Sequence, residues 1–164
     1  MSSEGSQRPS QDVSVHQIND LNALARQKAS FPKFGKIIVA EDSPICMKQI
    51  ESVLEDCSLL ESCVFCEDGR VAIDLFKKYT TEKHYVSHVL TDFNMPMANG
   101  REVVIEIDKF IQYYNRNNPE PIPKPKFIFI LAHKSTPYQI LAEELGVDAV
   151  MQKPLQLEEL NLIL

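Results

Sequence analysis

The chain has no tryptophan, only five glycines among 164 residues, and no surplus of positive charge. Its 17 Lys+Arg face 23 Asp+Glu, a formal net charge of −6. That balance removes the basic field a sequence-independent nucleic-acid binder needs to attract phosphates. No stretch approaches the roughly 18 apolar residues of a membrane span. The polar segment from Met1 to Asp12 lacks the apolar core of a secretory signal. A cytosolic or cytosol-facing domain is therefore expected, contacting neither nucleic acid nor membrane. Cysteine is confined to Cys46, Cys57, Cys63 and Cys66. Cys63 and Cys66 form a lone CxxC, with no second CxxC and no His pair at ligand spacing. They fall in a segment that reads as a strand, where side chains three apart face opposite sides. The cysteines are thus read as small hydrophobes rather than metal or redox groups.

What is present is ordered. Residues 1–11 are polar and Ser-rich and read as a disordered tail. Asp12 is placed to cap a helix over 12–29, with Ile18, Leu21, Leu24 and Ala25 at rough helical spacing. This is read as a linker helix; the alternative is a connector from an upstream domain or a dimerising segment. Phe31-Pro32-Lys33-Phe34-Gly35 breaks it. Charge divides at the same point, with +1 in residues 1–35 and −7 in residues 36–164.

From Lys36 the pattern is regular. Apolar runs at 36–40, 62–66, 88–91, 126–132 and 149–152 read as five strands. Helices alternate with them. Pro44 opens one with Cys46, Ile50, Val53, Leu54 and Cys57 on a stripe. The Asp68-Gly69 turn precedes Val71, Ala72, Leu75, Phe76 and Tyr79. Asn99-Gly100 precedes Val103, Val104, Ile107, Phe110, Ile111 and Tyr114. Tyr138, Leu141, Ala142 and Leu145 end at Gly146. Leu157, Leu160 and Ile163 begin a last helix that reads as truncated. Four prolines within residues 119–125 make an extended polar loop. His84 and His88 read as surface and strand-edge residues, and His16 has no partner at ligand spacing.

Five β-then-α units with continuous apolar strands predict an α/β fold: a doubly wound, five-stranded parallel sheet of order 2-1-3-4-5, flavodoxin-like, with helices on both faces. In such a sheet ligands bind beyond the carboxyl ends of the strands, at the switch point. Strand one is followed by Glu41-Asp42, strand three by Asp92 and strand five by Lys153. Three carboxylates then converge with an ammonium to one side. Two unit charges about 4 Å apart repel by about 4 kcal/mol at an effective dielectric of 20. Protonation, a lysine or a cation must relieve this, and oxygen-only ligands favour a hard cation such as Mg²⁺. A carboxylate can also act as a nucleophile and form an acyl phosphate. Mg²⁺ and Lys153 could then neutralise a transferring phosphoryl group. An acidic residue after a single strand is commonly just a helix cap or a solvated end; here the residues collect on three correct strands.

Glu41-Asp42, the segment Thr91 to Gly100 (TDFNMPMANG) and Lys153-Pro154 resemble the receiver domain of two-component response regulators and hybrid histidine kinases. The resemblance covers residues 36–164. It implies that Asp92 is the phosphoacceptor. It also implies that Mg²⁺ is held by Asp42 directly, by Glu41 through water, by Asp92 and by the backbone carbonyl of Asn94. Lys153 would contact the phosphoryl oxygens, and Lys153-Pro154 would be cis. Asn94 and His133 would flank the site and influence the lifetime of the phosphoryl group. The donor would be a phosphohistidine on a histidine kinase or a histidine phosphotransfer protein. A stand-alone regulator and a piece of a hybrid kinase are both expected origins, the linker-like start and abrupt end favouring the latter.

Two switch positions depart from the family. Leu131 stands where the family has Thr or Ser at the end of strand four, and Val150 where it often has Tyr or Phe. Leu131 cannot donate the hydroxyl hydrogen bond, and only Ser135 or Thr136 lies near enough in sequence to replace it. The acceptor chemistry reads as intact and the usual readout as damaged. A phosphoryl-accepting receiver is the leading expectation, not an enzyme beyond self-catalysed phosphorylation and dephosphorylation. A pseudo-receiver acting only as a protein-interaction module is the alternative. A phosphatase with an aspartate nucleophile is disfavoured, because Asn94 occupies the place of the second carboxylate it would use.

Overall fold

The computed structural model describes residues 35–164. The expected tail and the helix over 12–29 lie outside those residues. Among the described residues five strands alternate with five α-helices: β1 (Lys36–Ala40), α1 (Pro44–Asp56), β2 (Cys63–Cys66), α2 (Gly69–Thr81), β3 (Val86–Asp92), α3 (Gly100–Asn117), β4 (Lys126–Leu131), α4 (Thr136–Leu145), β5 (Ala149–Gln152) and α5 (Leu157–Ile163). All pairings are parallel. The strand order is β2-β1-β3-β4-β5, as expected from the alternation of elements.

Burial explains that order. The three inner strands are buried almost throughout, β1 and β4 as apolar runs after a leading lysine and β3 with Ser87, His88, Thr91 and Asp92 enclosed as well, whereas β2 and β5, at the edges, are half-buried. A strand covered on both faces cannot alternate polar and apolar residues. One face of the sheet packs Ile38, Val89, Phe127 and Phe129 against Phe76 of α2 and Val103 and Ile107 of α3. The other packs Ile37, Val39, Leu90, Ile128 and Ile130 against Ile50 and Leu54 of α1 and Leu160 of α5. Cys66 lies in the first cluster and Cys63 against the second, on opposite sides of the sheet. Burial pushes their thiols up to about 12 and about 11, so both are protonated and inert at neutral pH.

Three helix starts are set by side-chain caps. Ser43 accepts from the amide of Cys46 at 3.4 Å, and Pro44 follows at the first position, where its missing N–H costs nothing. Asp68 accepts from Val71 N at 2.9 Å, so the Asp68-Gly69 turn leads directly into its helix as the cap. Asn99 and Glu102 form a reciprocal capping box at 3.0 and 2.8 Å. Helix α4 differs: Ser135 occupies its cap position without a side-chain bond. Gly146, at φ +66°, closes that helix in the left-handed region glycine tolerates. In the Pro-rich loop, Asn115 accepts from Ile122 N at 2.8 Å and donates to its carbonyl at 3.0 Å, pinning the segment.

β3 begins two residues earlier than the sequence pattern implies and takes in Asp92 at its end. This changes the reading of His88. It is not a surface or strand-edge residue but lies within an inner strand, 3% exposed, with Nδ1 2.9 Å from the Ser87 hydroxyl. His84 is exposed in the preceding loop, as read. Burial, aided by Lys126, lowers the His88 pKa to about 4. The unfolded chain therefore binds this proton more readily, and stability falls as pH drops from 6.5 towards 4. Urea unfolding at pH 7 and pH 4.5 should show His88 contributing a loss of about 2 kcal/mol that is missing in His88→Gln.

Candidate functional site

The parallel sheet brings every strand's carboxyl end to one edge, and the register decides which residues meet there. Ala40 pairs with Thr91, so Glu41 and Asp42 leave β1 beside Asp92 at the end of β3. Leu131 pairs with Gln152, and Lys153 N donates to the Leu131 carbonyl at 2.8 Å. Lys153 thus starts two strands from Asp92, about 10 Å at ordinary strand spacing. Its long, flexible stem spans that gap. Nζ donates to Asp92 Oδ2 at 2.7 Å and lies 2.7 Å from Glu41 Oε2.

The carboxylates are unequal. Glu41 is 1% exposed and Asp92 6% exposed, while Asp42 faces solvent. Glu41 Oε1 accepts from Ser43 N at 3.1 Å. Its Oε2 faces the Lys153 ammonium at 2.7 Å. Asp92 Oδ1 accepts from Asn94 N at 3.2 Å. One oxygen from each of Glu41, Asp42 and Asp92 lies within 4.8 Å of the others. The set is all oxygen and brings three carboxylates together against one ammonium. Those features fit a hard divalent cation. A cavity of about 200 Å³ opens beside Glu41 and Asp42, between Lys48 and Glu67.

Electrostatics follow from burial. Desolvation raises the Glu41 pKa above its usual value, the Lys153 and Ser43 contacts lower it in part, and Asp92 raises it further. For Lys153, burial alone would depress the ammonium. Its bonds to Asp92 and Glu41 outweigh that, and its pKa is raised. The Lys153 contribution to stability is thus present below the ordinary lysine value and is lost as pH climbs through the raised one.

The loop after Asp92 is fixed by close approach. Gly100 N donates to the Phe93 carbonyl at 2.9 Å, and a Cβ on Gly100 would sit 2.8 Å from the Asp92 carbonyl oxygen. Any larger residue there would displace the Asp92 backbone. A Cβ on Gly69 would collide with the Ala98 carbonyl in the same loop.

The remaining candidates are arranged as follows. Asn94 is exposed and touches Asp92 through its amide. His133 is exposed in the loop after β4. The Lys153-Pro154 bond is cis. Leu131 is 2% exposed and packs into the same core cluster as Phe129; Val150 packs against it, half-buried. Two features were not legible in the sequence. Phe93 stacks edge-on against Phe129 and Tyr138, at centroid distances of 5.4 and 4.9 Å. Lys134 pairs with Glu159 at 2.6 Å, joining the loop after β4 to α5.

Residues 37–164 match the response regulator receiver domain, and the chain belongs to that family of two-component signalling domains. Solved structures agree on the fold. Chemotaxis protein CheY4 of Vibrio cholerae is similar at TM-score 0.61 and 19% identity, over 80% of this chain and 99% of that one. A receiver domain protein from Clostridium thermocellum gives 0.62 and 20%, over 79% and 90%. The co-crystal structure of the Saccharomyces cerevisiae histidine phosphotransfer protein Ypd1 with the receiver domain of its downstream response regulator Ssk1 gives 0.63 and 19%, over 79% and 87%. No curated protein sequence matches as a relative. Receiver domains generally bind Mg²⁺ at an acidic pocket, and this chain has the acidic cluster of Glu41, Asp42 and Asp92. Among the described residues no helix is long and apolar enough to cross a membrane.

Lys153→Met removes the one cation that touches both buried carboxylates. Chemical denaturation without divalent ions should show a loss of about 3 kcal/mol at pH 7. The loss should shrink as pH falls through the raised Glu41 value, because protonation removes the stranded charge.

Proposed function

We propose that this domain accepts a phosphoryl group on Asp92 from a phosphohistidine donor, with Mg²⁺ held by Glu41, Asp42, Asp92 and the Asn94 backbone carbonyl. The observation that carries this reading is the Lys153 ammonium, 2.7 Å from Asp92 and 2.7 Å from Glu41 at the strand ends. A scaffold that never bound a cation would gain nothing from three converging carboxylates, whose mutual repulsion costs about 4 kcal/mol per close pair.

In the transfer, an Asp92 carboxylate oxygen forms a bond to phosphorus as the bond from phosphorus to the donor nitrogen breaks. The electron pair leaves with the imidazole, and Asp92 becomes a mixed anhydride. Lys153, already at the Asp92 oxygen, is placed to neutralise the phosphoryl oxygens. Mg²⁺, when bound, supplies further neutralisation of the same charge. Asp42 lies open to solvent, so an ion can reach it without unfolding the edge.

The partner class is a histidine kinase or a histidine phosphotransfer protein. The Ypd1–Ssk1 structure supports it, since a receiver domain of the same fold is seen there with a histidine phosphotransfer protein. Two exposed apolar side chains support it as well: Ile45 just after the acidic pair, 73% exposed, and Met97 just after Asp92, 83% exposed. Output would pass through the face made by α4, β5 and α5. A cytoplasmic or cytosol-facing location follows from that partner class. The pseudo-receiver reading is favoured by Leu131 and Val150 alone, because Leu131 carries no hydroxyl and Val150 no aromatic ring.

Acetyl phosphate with Mg²⁺ should label the wild-type chain. Label should be lost with EDTA and in Asp92→Asn, and reduced at least about tenfold in Lys153→Met. Label that persists in Asp92→Asn would move the acceptor elsewhere. A wild-type chain that stays unlabelled while folded would establish the pseudo-receiver.

A further inference from the structure

We propose that Tyr138, through its ring contact with Phe93, carries the state of Asp92 to the first turn of α4, in place of the hydroxyl that Leu131 lacks. The inference rests on the acceptor reading above and deepens it by naming the readout.

Phe93 follows Asp92 directly in the chain. Its carbonyl is held by Gly100 N at 2.9 Å, and the next amide, Asn94 N, donates to Asp92 Oδ1 at 3.2 Å. A cation or a phosphoryl group on Asp92 competes for the lone pairs that this amide uses. The planar peptide between Phe93 and Asn94 must then tilt about the carbonyl that Gly100 N holds. That tilt turns the Phe93 backbone angles, and the adjustment falls on the Phe93 ring.

That ring has two aromatic neighbours of unequal freedom. Phe129 is fully buried in an inner strand, 5.4 Å away at 82° between planes. Packed interiors transmit displacement rather than absorb it. Tyr138 is the neighbour that can give. It lies 4.9 Å away at 67°, is partly exposed, and sits in the first turn of α4.

The start of α4 is also the one without a side-chain cap among the three long crossover helices on that face. Asp68 and Asn99 cap α2 and α3 with side-chain bonds, whereas Ser135 makes no such bond. The turn is held by backbone bonds from Tyr138 N and Gln139 N to the Ser135 carbonyl, both 3.1 Å. An under-capped turn opens at lower cost than the rest of its helix. It supplies the two-state element that a switch requires. Leu131 and Val150 then serve as the packed wall beside this route.

Amide spectra of the full 164-residue chain, recorded with and without Mg²⁺ and beryllofluoride, test this. Wild type should shift at residues 92–94 and at 135–142. In Tyr138→Leu the shifts at 92–94 should persist, with apparent beryllofluoride affinity within about threefold, while those at 135–142 fall to about a third or less. Tyr138→Phe keeps the ring and should restore them. Phe93→Leu, from the other side of the contact, should also uncouple α4. Undiminished α4 shifts in both leucine variants would overturn the proposal. So would α4 shifts lost only in Lys134→Met, which breaks the ion pair to Glu159 instead. Shifts at 92–94 without any at 135–142 in wild type would remove this inference and leave the acceptor reading standing. Silence at 92–94 in wild type would remove the acceptor reading, and this inference with it.

Discussion

The Lys153 ammonium is the constraint around which the strand ends are organised. Two carboxylates, Glu41 and Asp92, are almost wholly shielded from water at one edge of the sheet. Water cannot screen them, and like charges so close repel by several kcal/mol. One nitrogen, reaching over from two strands away, touches both. Its charge rises in affinity for the proton because its two bonds outweigh its burial. Without it the edge would hold uncompensated charge. With it the pocket still carries more negative than positive charge, the state in which a divalent cation is most strongly favoured.

The local chemistry around that nitrogen divides into fixed and free parts. Glu41 is tied by Ser43 N and Lys153; Asp42, its neighbour, is left in solvent. The loop after Asp92 is clamped by Gly100 and bordered by Gly69, positions where a Cβ would meet backbone oxygen. The side chains of Phe93 and Met97 leave this clamped loop in different directions. One turns into the core against Tyr138 and the other out to solvent.

Much of the architecture was legible because parallel strands buried on both faces leave a strong imprint. The runs KIIVA and KFIFIL have no polar alternation, and Pro44 and Asn99-Gly100 mark helix starts that the structure keeps. The misreadings share a cause. Val86 and Ser87 lengthen β3, and His88 lies inside it, because polar residues can be buried in an inner strand when a neighbouring hydroxyl meets them. For the site, spacing after each strand pointed to Glu41, Asp42, Asp92 and Lys153, and the register brings the four together.

The sequence by itself determined the number of strands, their burial, the parallel order and the identity of the charged residues at their ends, since each is encoded in local periodicity or in the residue following a run. Only the tertiary structure decided which carboxylate is buried, which oxygen the ammonium touches, and that Phe93 meets Tyr138 45 positions further along the chain. Contacts of that kind depend on register, twist and the packing of helices over the sheet. No short window of residues contains them, because the atoms involved become neighbours only when the strands close side by side.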